Sequence, residues 1–517
     1  MKSIKYILGS LSILLLVQCT DLEETPYTFL SPSIFYQTEE QLSQSLNGVY
    51  SAYKRAFGGE NYRWTMYLED LTEFGSPSYQ KDDIEYWNAW SGINSASSRT
   101  FNIWDRGYDL INRANVVLGR GQGIEMDNTI KEIYFAEARL LRAATMFNMI
   151  RIYGGLAIPE SFTKSLEGLE IPRKTVDETY AYIIADLEYA ESKLPTKSKL
   201  NDIWRVSKGT AQALLGKVYL TRGSMTGMRD YLQKSKEYSN LVIQSNEYSL
   251  EPEFKNLWYW WNTNCKNGRE SIFELQYGAY NGMHNNLHVQ MGLNLNGDQA
   301  IGSYMYRRVG PSIAAYKSYS DQDKRKEGTF LTEIKFSNGT ISFVLEDNGS
   351  ETGSKGWKAA FPGNIKYYDR SEESFNLQLP RANIYVLRYA EVLLNYAEAE
   401  NELNGSDGAY SAVNAVRNRA GLANLTTGLS QSQMADAIYR ERGWEFIGEA
   451  QLYFDELRTD RISANLIKHW EDSKDIYLYK GWNLEFVPDK NFLWKIPQGD
   501  IDSNSALVQN PDNVSKR

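Results

Sequence analysis

Two cysteines and three histidines in 517 residues rule out several familiar chemistries. Cys19 and Cys265 are too few for a disulfide framework, so stability has to come from a packed core. His284 and His288 stand four apart in GMHNNLHVQM, but the segment lacks the glutamate of a zinc-protease helix and His469 is remote, so no metal site is expected. There is no Gly-x-Ser-x-Gly elbow and no phosphate-binding loop. Gly119-Arg120-Gly121-Gln122-Gly123 follows a helical pattern rather than a strand and reads as a turn, so no cofactor is expected. No apolar run reaches the roughly 20 residues of a spanning helix. Basic residues are outnumbered as well: the formal charge is −9, and −11 once residues 1–18 with Lys2 and Lys5 are removed. Nucleic acid and anionic membrane surfaces need a basic footprint, and both are excluded as partners.

Aromatic rings are plentiful. Thirty-six tyrosines and 13 tryptophans give apolar faces with polar edges, suited both to a core and to rigid contact surfaces. The length allows two or three lobes. At the start, Lys2 and Lys5 precede an apolar run from Tyr6 to Val17 of secretory length. The run stops at Leu16-Val17-Gln18-Cys19, which resembles a bacterial lipobox, where the thiol takes a diacylglycerol and becomes the new N-terminus. An ordinary signal peptide with an incidental cysteine is the competing reading. Residues 1–18 are thus expected to be a signal peptide and Cys19 a lipid anchor, with Asp21, Glu23 and Glu24 resembling an acidic surface-export signal. Cys265 is then left as a lone buried thiol.

Residues 19–34 read as a polar tether, and helical periodicity begins near Thr38. In EARLLRAATMFNMI, Leu140, Ala143, Ala144 and Phe147 fall at i, i+3, i+4 and i+7. Trp104, Tyr108 and Ile111 share a face of a preceding helix, and Gly154-Gly155 with Pro159 end the later one. Helix, short break, helix recurs in TVDETYAYIIADLEYAESKL, SKGTAQALLGKVYLTRG and DYLQKSKEYSNLVIQS. It returns in YAEVLLNYAEAENEL, GAYSAVNAVRNRAGL and SQMADAIYRERGWEFIGE, like degenerate tetratricopeptide pairs. The expected fold is mostly α, with a helical scaffold over 35–256 and 381–517. An irregular lobe with short strands is expected over 257–380, and 63–98 is expected to be a second irregular segment.

At these helices the chain resembles the SusD/RagB family of surface lipoproteins. EARLLRAATMFNMIRIYGGLAIPE, IPRKTVDETYAYIIADLEYAESKLP, RYAEVLLNYAEAENELNG, AVNAVRNRAGL, IYRERGWEFIGEAQLYFDELR and LWKIPQGDIDSNSALVQNPDN follow in family order over nearly the whole mature chain. The resemblance implies a non-catalytic protein that is lipid-anchored on the outer-membrane surface. It would bind oligo- or polysaccharide and deliver it to a SusC-like TonB-dependent transporter. Some relatives bind peptides, and a glycoside hydrolase or a bare protein-interaction scaffold are the remaining alternatives.

Most motif residues read as structural. Glu137, Arg139 and Arg142, and likewise Arg440, Glu441, Arg442 and Glu445, are expected to form ion pairs. Ligand candidates lie outside the motifs, where a sugar's apolar C–H face needs flat rings and its hydroxyls need amides or carboxylates. YWNAW offers Trp87, Asn88 and Trp90 beside Glu69 and Asp70, and LWYWWNTN offers Trp258, Trp260 and Trp261. IGSYMYRR offers Tyr304, Tyr306 and Arg307. Any one of these rings has a core position as its alternative.

Overall fold

The computed structural model describes residues 35–58, 63–77, 95, 98–165, 168, 170–259, 265–278, 285–292, 309–336, 339–343, 357–359, 362–369, 380–465, 468 and 492–511. Cys19 and the expected tether lie outside these residues. The scaffold opens with α1 (Glu39–Phe57), α2 (Arg63–Asp70), α3 (Ser98–Gly121) and α4 (Asn128–Tyr153). It continues with α5 (Val176–Lys193), α6 (Lys208–Thr226) and α7 (Arg229–Gln244). After an insertion with short helices α8 (Leu287–Met291), α9 (Ile313–Ser318) and α10 (Arg325–Thr329), it resumes with α11 (Tyr389–Asn404) and α12 (Tyr410–Arg419). The chain closes with α13 (Gln431–Phe446), α14 (Leu452–Arg458) and α15 (Gln498–Ser503).

Local sequence sets these helices. Capping boxes open four of them: Thr38 with Gln41, Thr175 with Glu178, Ser207 with Thr210, and Ser430 with Gln433. Asp127 caps α4 by accepting from the Thr129 and Ile130 amides, and Gly154 ends it at φ +76°. The stripe Leu140, Ala143, Ala144 and Phe147 is buried, as are Trp104 and Ile111. Each long helix packs on the next in chain order from α3 to α7. Then α7 receives α11, which packs in turn on α12 and α13, giving a row of helical pairs. Two details differ from the sequence reading. Gly119 and Gly121 lie in the last turn of α3 rather than in a loop. Part of 63–98 is helical, because Trp64, Tyr67, Leu68 and Leu71 make a buried i, i+3, i+4, i+7 stripe on and just after α2.

Strands are short and lie mostly in the insertion: β1 (Gly75–Pro77), β2 (Ser271–Leu275), β3 (Val309–Pro311), β4 (Phe330–Leu331), β5 (Glu333–Phe336), β6 (Gly339–Phe343), β7 (Trp357–Ala359), β8 (Gly363–Asn364) and β9 (Ile384–Arg388). They form small sheets of order β1-β3, β2-β9, β4-β8 and β5-β6-β7. The β2-β9 pair is buried and joins the insertion to the scaffold. Among the described residues no helix is long and apolar enough to cross a membrane.

The C-terminal motif closes the molecule. The Trp494 amide donates to the Ile152 carbonyl at 2.8 Å. Asn510 Nδ2 donates to the Tyr153 and Trp494 carbonyls at 2.9 and 2.8 Å. Arg173 reaches the Gly155 carbonyl at 2.7 Å and Asn510 Oδ1 at 2.8 Å. These residues satisfy the backbone groups left at the end of α4.

Candidate ligand-binding site

Two segments rich in candidate rings leave the described structure from one place. β1 and β3 pair antiparallel, with Gly75 opposite Pro311 and Pro77 opposite Val309. The chain leaves this ribbon after Pro77 into the stretch bearing Trp87, Asn88 and Trp90. It re-enters at Val309 from the stretch bearing Tyr304, Tyr306 and Arg307. Both stretches therefore start from the same end of the ribbon. The six residues themselves lie outside the described residues, as do Trp260 and Trp261.

The ribbon is firmly mounted. The Ser312 amide donates to the Phe74 carbonyl at 2.8 Å, and Ser312 Oγ accepts from the Ala315 amide at 3.0 Å to cap α9. Thr72 Oγ1 donates to the Glu69 carbonyl at 2.7 Å, and the Gly75 amide donates to the Thr72 carbonyl at 3.3 Å. Gly75 sits so close to the Glu69 carbonyl that a Cβ there would collide with it. Behind the ribbon, Phe74 packs with Tyr316, Tyr319, Phe330 and Trp444, and the Tyr319 hydroxyl donates to the Trp444 carbonyl at 2.6 Å.

Two of the predicted ligand residues are corrected. Asp70, at 0% exposed, ends α2 inside the protein and cannot reach a sugar hydroxyl. Trp258, at 2% exposed, is a core ring: it packs edge-on against Phe254 and Tyr385, and Lys366 Nζ lies 4.8 Å above it. The FKNLW turn buries Phe254, Leu257 and Trp258 together, so the ring completes a hydrophobic layer beside β9. Cys265 is half-buried rather than buried. Its thiol donates to the Tyr259 carbonyl at 3.1 Å, and burial pushes its pKa up to about 12, which keeps it protonated and unreactive.

Beneath the ribbon lies a buried set of charges. Arg388 donates to Glu270 at 2.6 Å, Glu445 at 2.8 Å and both oxygens of Glu449 at 2.8 and 2.9 Å. Arg325 donates to Asp323 at 2.7 Å, Glu441 at 2.6 Å and Glu445 at 3.2 Å. Arg419 binds Glu270 at 2.9 Å and also Glu445, Lys366 binds Glu449 at 2.6 Å, and Arg417 binds Glu441 at 3.0 Å. Five cations thus meet five carboxylates, which is what burial of charge demands. Burial penalises the Glu445 charge, but the guanidinium groups of Arg419, Arg388 and Arg325 outweigh it and hold this carboxyl well below the usual range. The ion pairs expected of Glu137, Arg139, Arg142, Glu441, Arg442 and Glu445 form with partners on other elements. Arg142 donates to Asp186 at 2.8 Å, Arg205 to Glu137 at 2.9 Å and Arg442 to Asp455 at 2.8 Å.

Glu69 couples the ribbon to this set: its Oε1 accepts from the Ala450 amide at 2.6 Å, beside Glu449. Burial pushes its carboxyl up to about 7, although the Gly448 and Ala450 amides and Lys366 pull the other way. Glu73 is engaged too, since the Tyr439 hydroxyl lies 3.0 Å from Glu73 and 3.1 Å from Glu456. Among the described residues no group of three His, Cys, Asp or Glu side chains could hold a metal ion.

A row of tetratricopeptide-like helical pairs, interrupted by a loop-rich insertion and joined to it by short two-stranded ribbons, defines the class of fold. Residues 269–512 match the model of the SusD family, and residues 22–220 match a model described as starch-binding associating with outer membrane. The chain belongs to the SusD/RagB family. SusD-like protein P2 of Formosa agariphila is 28% identical over 96% of this chain and 97% of its own length. The fold matches a SusD homolog from Bacteroides thetaiotaomicron at a TM-score of 0.78, with 22% identity over 92% of this chain and 97% of that one. It also matches a laminarin-binding SusD-like protein at 0.70, with 23% identity over 92% of this chain and 100% of the other.

Proposed function

We propose that this chain is a surface lipoprotein that binds oligo- or polysaccharide without cleaving it and passes it to a TonB-dependent outer-membrane transporter. The observation that carries the reading is the pairing of β1 with β3, which launches the Trp87-Asn88-Trp90 and Tyr304-Tyr306-Arg307 segments from one end of one ribbon. Rings from two segments can then stack on one sugar chain while Asn88 and Arg307 bind hydroxyls, the mixture that a glycan's alternating apolar faces and polar edges requires. The family description and the laminarin-binding neighbour support a glycan as ligand. Binding without turnover is supported by the acids next to the ribbon among the described residues: Glu69 and Asp70 are buried, and Glu73 is held by Tyr439. Glycoside hydrolysis requires two carboxylates facing the bond. Delivery to a transporter follows from the physics of a tethered binder, which cannot itself move a polar chain through lipid.

The test is a panel of glycans, including laminarin and starch, assayed by affinity electrophoresis and by chromatography of the recovered sugar. The reading expects retardation by at least one glycan that is recovered at full length. Shortened products would restore the hydrolase, and retardation by none would remove the glycan. For the partner, extraction from native membranes in gentle detergent should co-purify a large β-barrel protein, and repeated recovery of this chain alone would contradict the delivery step.

A further inference from the structure

Between α1, α4, α6 and the β2-β9 pair the scaffold leaves a partly open cavity of about 60 Å³. Arg151, Lys217, Asn148 and Gln451 supply its polar lining, and rings including Phe147 and Phe454 supply much of the rest. That volume holds more than one water-sized particle. Arg151 is only 6% exposed, yet no carboxylate lies within ion-pair range of it among the described residues. Its hydrogen bonds go to the Phe147 carbonyl at 3.1 Å and to Asn148 Oδ1 at 2.5 Å, and its guanidinium is held between the Phe147 and Phe454 rings at 4.1 and 3.6 Å.

The charges next to it do not balance. Lys217 is 2.7 Å from Glu391 and donates to Gln451 Oε1 at 2.6 Å, and Arg442 binds Asp455 at 2.8 Å. Arg458 binds Asp455 at 2.9 Å and Glu398 at 2.7 Å. With Arg151 this makes four buried cations against three buried carboxylates among the described residues, whereas the set around Glu445 is even. A further acid, the exposed Glu402, lies near Glu398 and Arg458, and Glu391 and Asp455 act on Arg151 only from beyond ion-pair range. Aromatic faces and neutral amide oxygens lessen the cost of a buried guanidinium but do not cancel its charge.

We infer that this cavity is a binding site for a small monovalent anion of the halide class, held between Arg151 and Lys217 with the Asn148 and Gln451 side chains beside it. The anion gives Arg151 the close negative partner it otherwise lacks and fills space next to two rings, so it acts as a structural ligand of the scaffold, away from the β1-β3 ribbon. Burial draws the Arg151 pKa down to about 10 and lowers that of Lys217, the direction expected where positive charge is under-compensated.

Crystals of the protein soaked in sodium bromide test this on the native chain. An anomalous bromine peak inside the cavity, within hydrogen-bonding reach of Arg151, is expected, and density there without anomalous signal would overturn the site in favour of water alone. In solution, replacing sodium gluconate by sodium chloride at equal ionic strength should raise the melting temperature by about 2 °C. Arg151→Met should abolish that difference. Equal melting in the two salts for the native chain would likewise overturn the inference, and neither native-chain measurement depends on the variant folding.

Discussion

Glu445→Gln tests whether the buried charges under the ribbon act as one balanced set. The carboxylate accepts from Arg388 at 2.8 Å, from Arg325 at 3.2 Å and from Arg419, and it is fully buried. Glutamine keeps the shape and one acceptor, but it removes the charge and aims an N–H group at one of three guanidinium donors. Five buried cations then face four carboxylates. Removing one member of a buried ionic set costs about 3–5 kcal/mol. At an unfolding entropy on the order of 1 kcal/mol per degree for a chain of this size, the melting temperature should fall by about 3–5 °C. Glu237→Gln, on the exposed face of α7 beside Lys234, is the control, and its effect should stay within about 0.5 kcal/mol. The pH dependence adds a second check. A carboxyl whose folded pKa is depressed contributes stability above its unfolded pKa and loses it as pH falls through the folded value. The Glu445→Gln deficit should therefore be constant from pH 7 to pH 5 and shrink only below about 4.3. Scanning calorimetry of both variants across this range decides it. A deficit no larger than that of Glu237→Gln would refute the balanced set.

Glu69→Gln should have the opposite pH signature. With its folded pKa raised from 4.5 to about 7, the native carboxyl contributes most stability below pH 4.5 and loses it as pH rises through 7. The variant should therefore match the native chain near pH 4.5 and exceed it at pH 8, by up to about 3 kcal/mol. An equal difference at both pH values in urea titrations would contradict the assignment. Cys19→Ala should leave the chain without acyl groups and release it from the outer-membrane fraction. Full retention of the variant after carbonate washing would count against Cys19 as the anchor.

The scaffold was legible because its signals are local. Helical periodicity sets in near Thr38, Gly154 announces a stop, and the Leu140-to-Phe147 stripe has the period of a helix. Helix α2 carried the same stripe in Trp64, Tyr67, Leu68 and Leu71, but two turns beside polar, aromatic-rich sequence read as loop. The β1-β3 pairing joins residues over two hundred positions apart through strands of three residues, too short for any periodicity, so nothing local announces it. Trp258 looked like a platform because WYWW is a rare density of rings. Only the fold reveals that Tyr385 and Phe254 enclose it. Glu445 and Arg442 were legible as ion-pairing residues from their type and clustering. Their partners Arg388, Arg419 and Asp455 come from other elements, which composition and spacing cannot specify.

The central claim is that the two aromatic segments at the ribbon's end form one glycan site. Calorimetric titration of a retained glycan into the native chain, Trp90→Ala, Tyr304→Ala and the double variant tests it most directly. Ring stacking should dominate, because each hydroxyl hydrogen bond nets only about 0.5–1.5 kcal/mol against water. Each single change should therefore weaken binding by about 2 kcal/mol, roughly thirtyfold, with the melting temperature unchanged. Rings stacked on the same glycan should also be coupled, so the double variant should depart from the sum of the singles by 0.5 kcal/mol or more, a range of roughly 0.5–3 kcal/mol being usual for groups that share a partner. Native affinity in both single variants, or unfolding of both, would contradict a site built from these two segments.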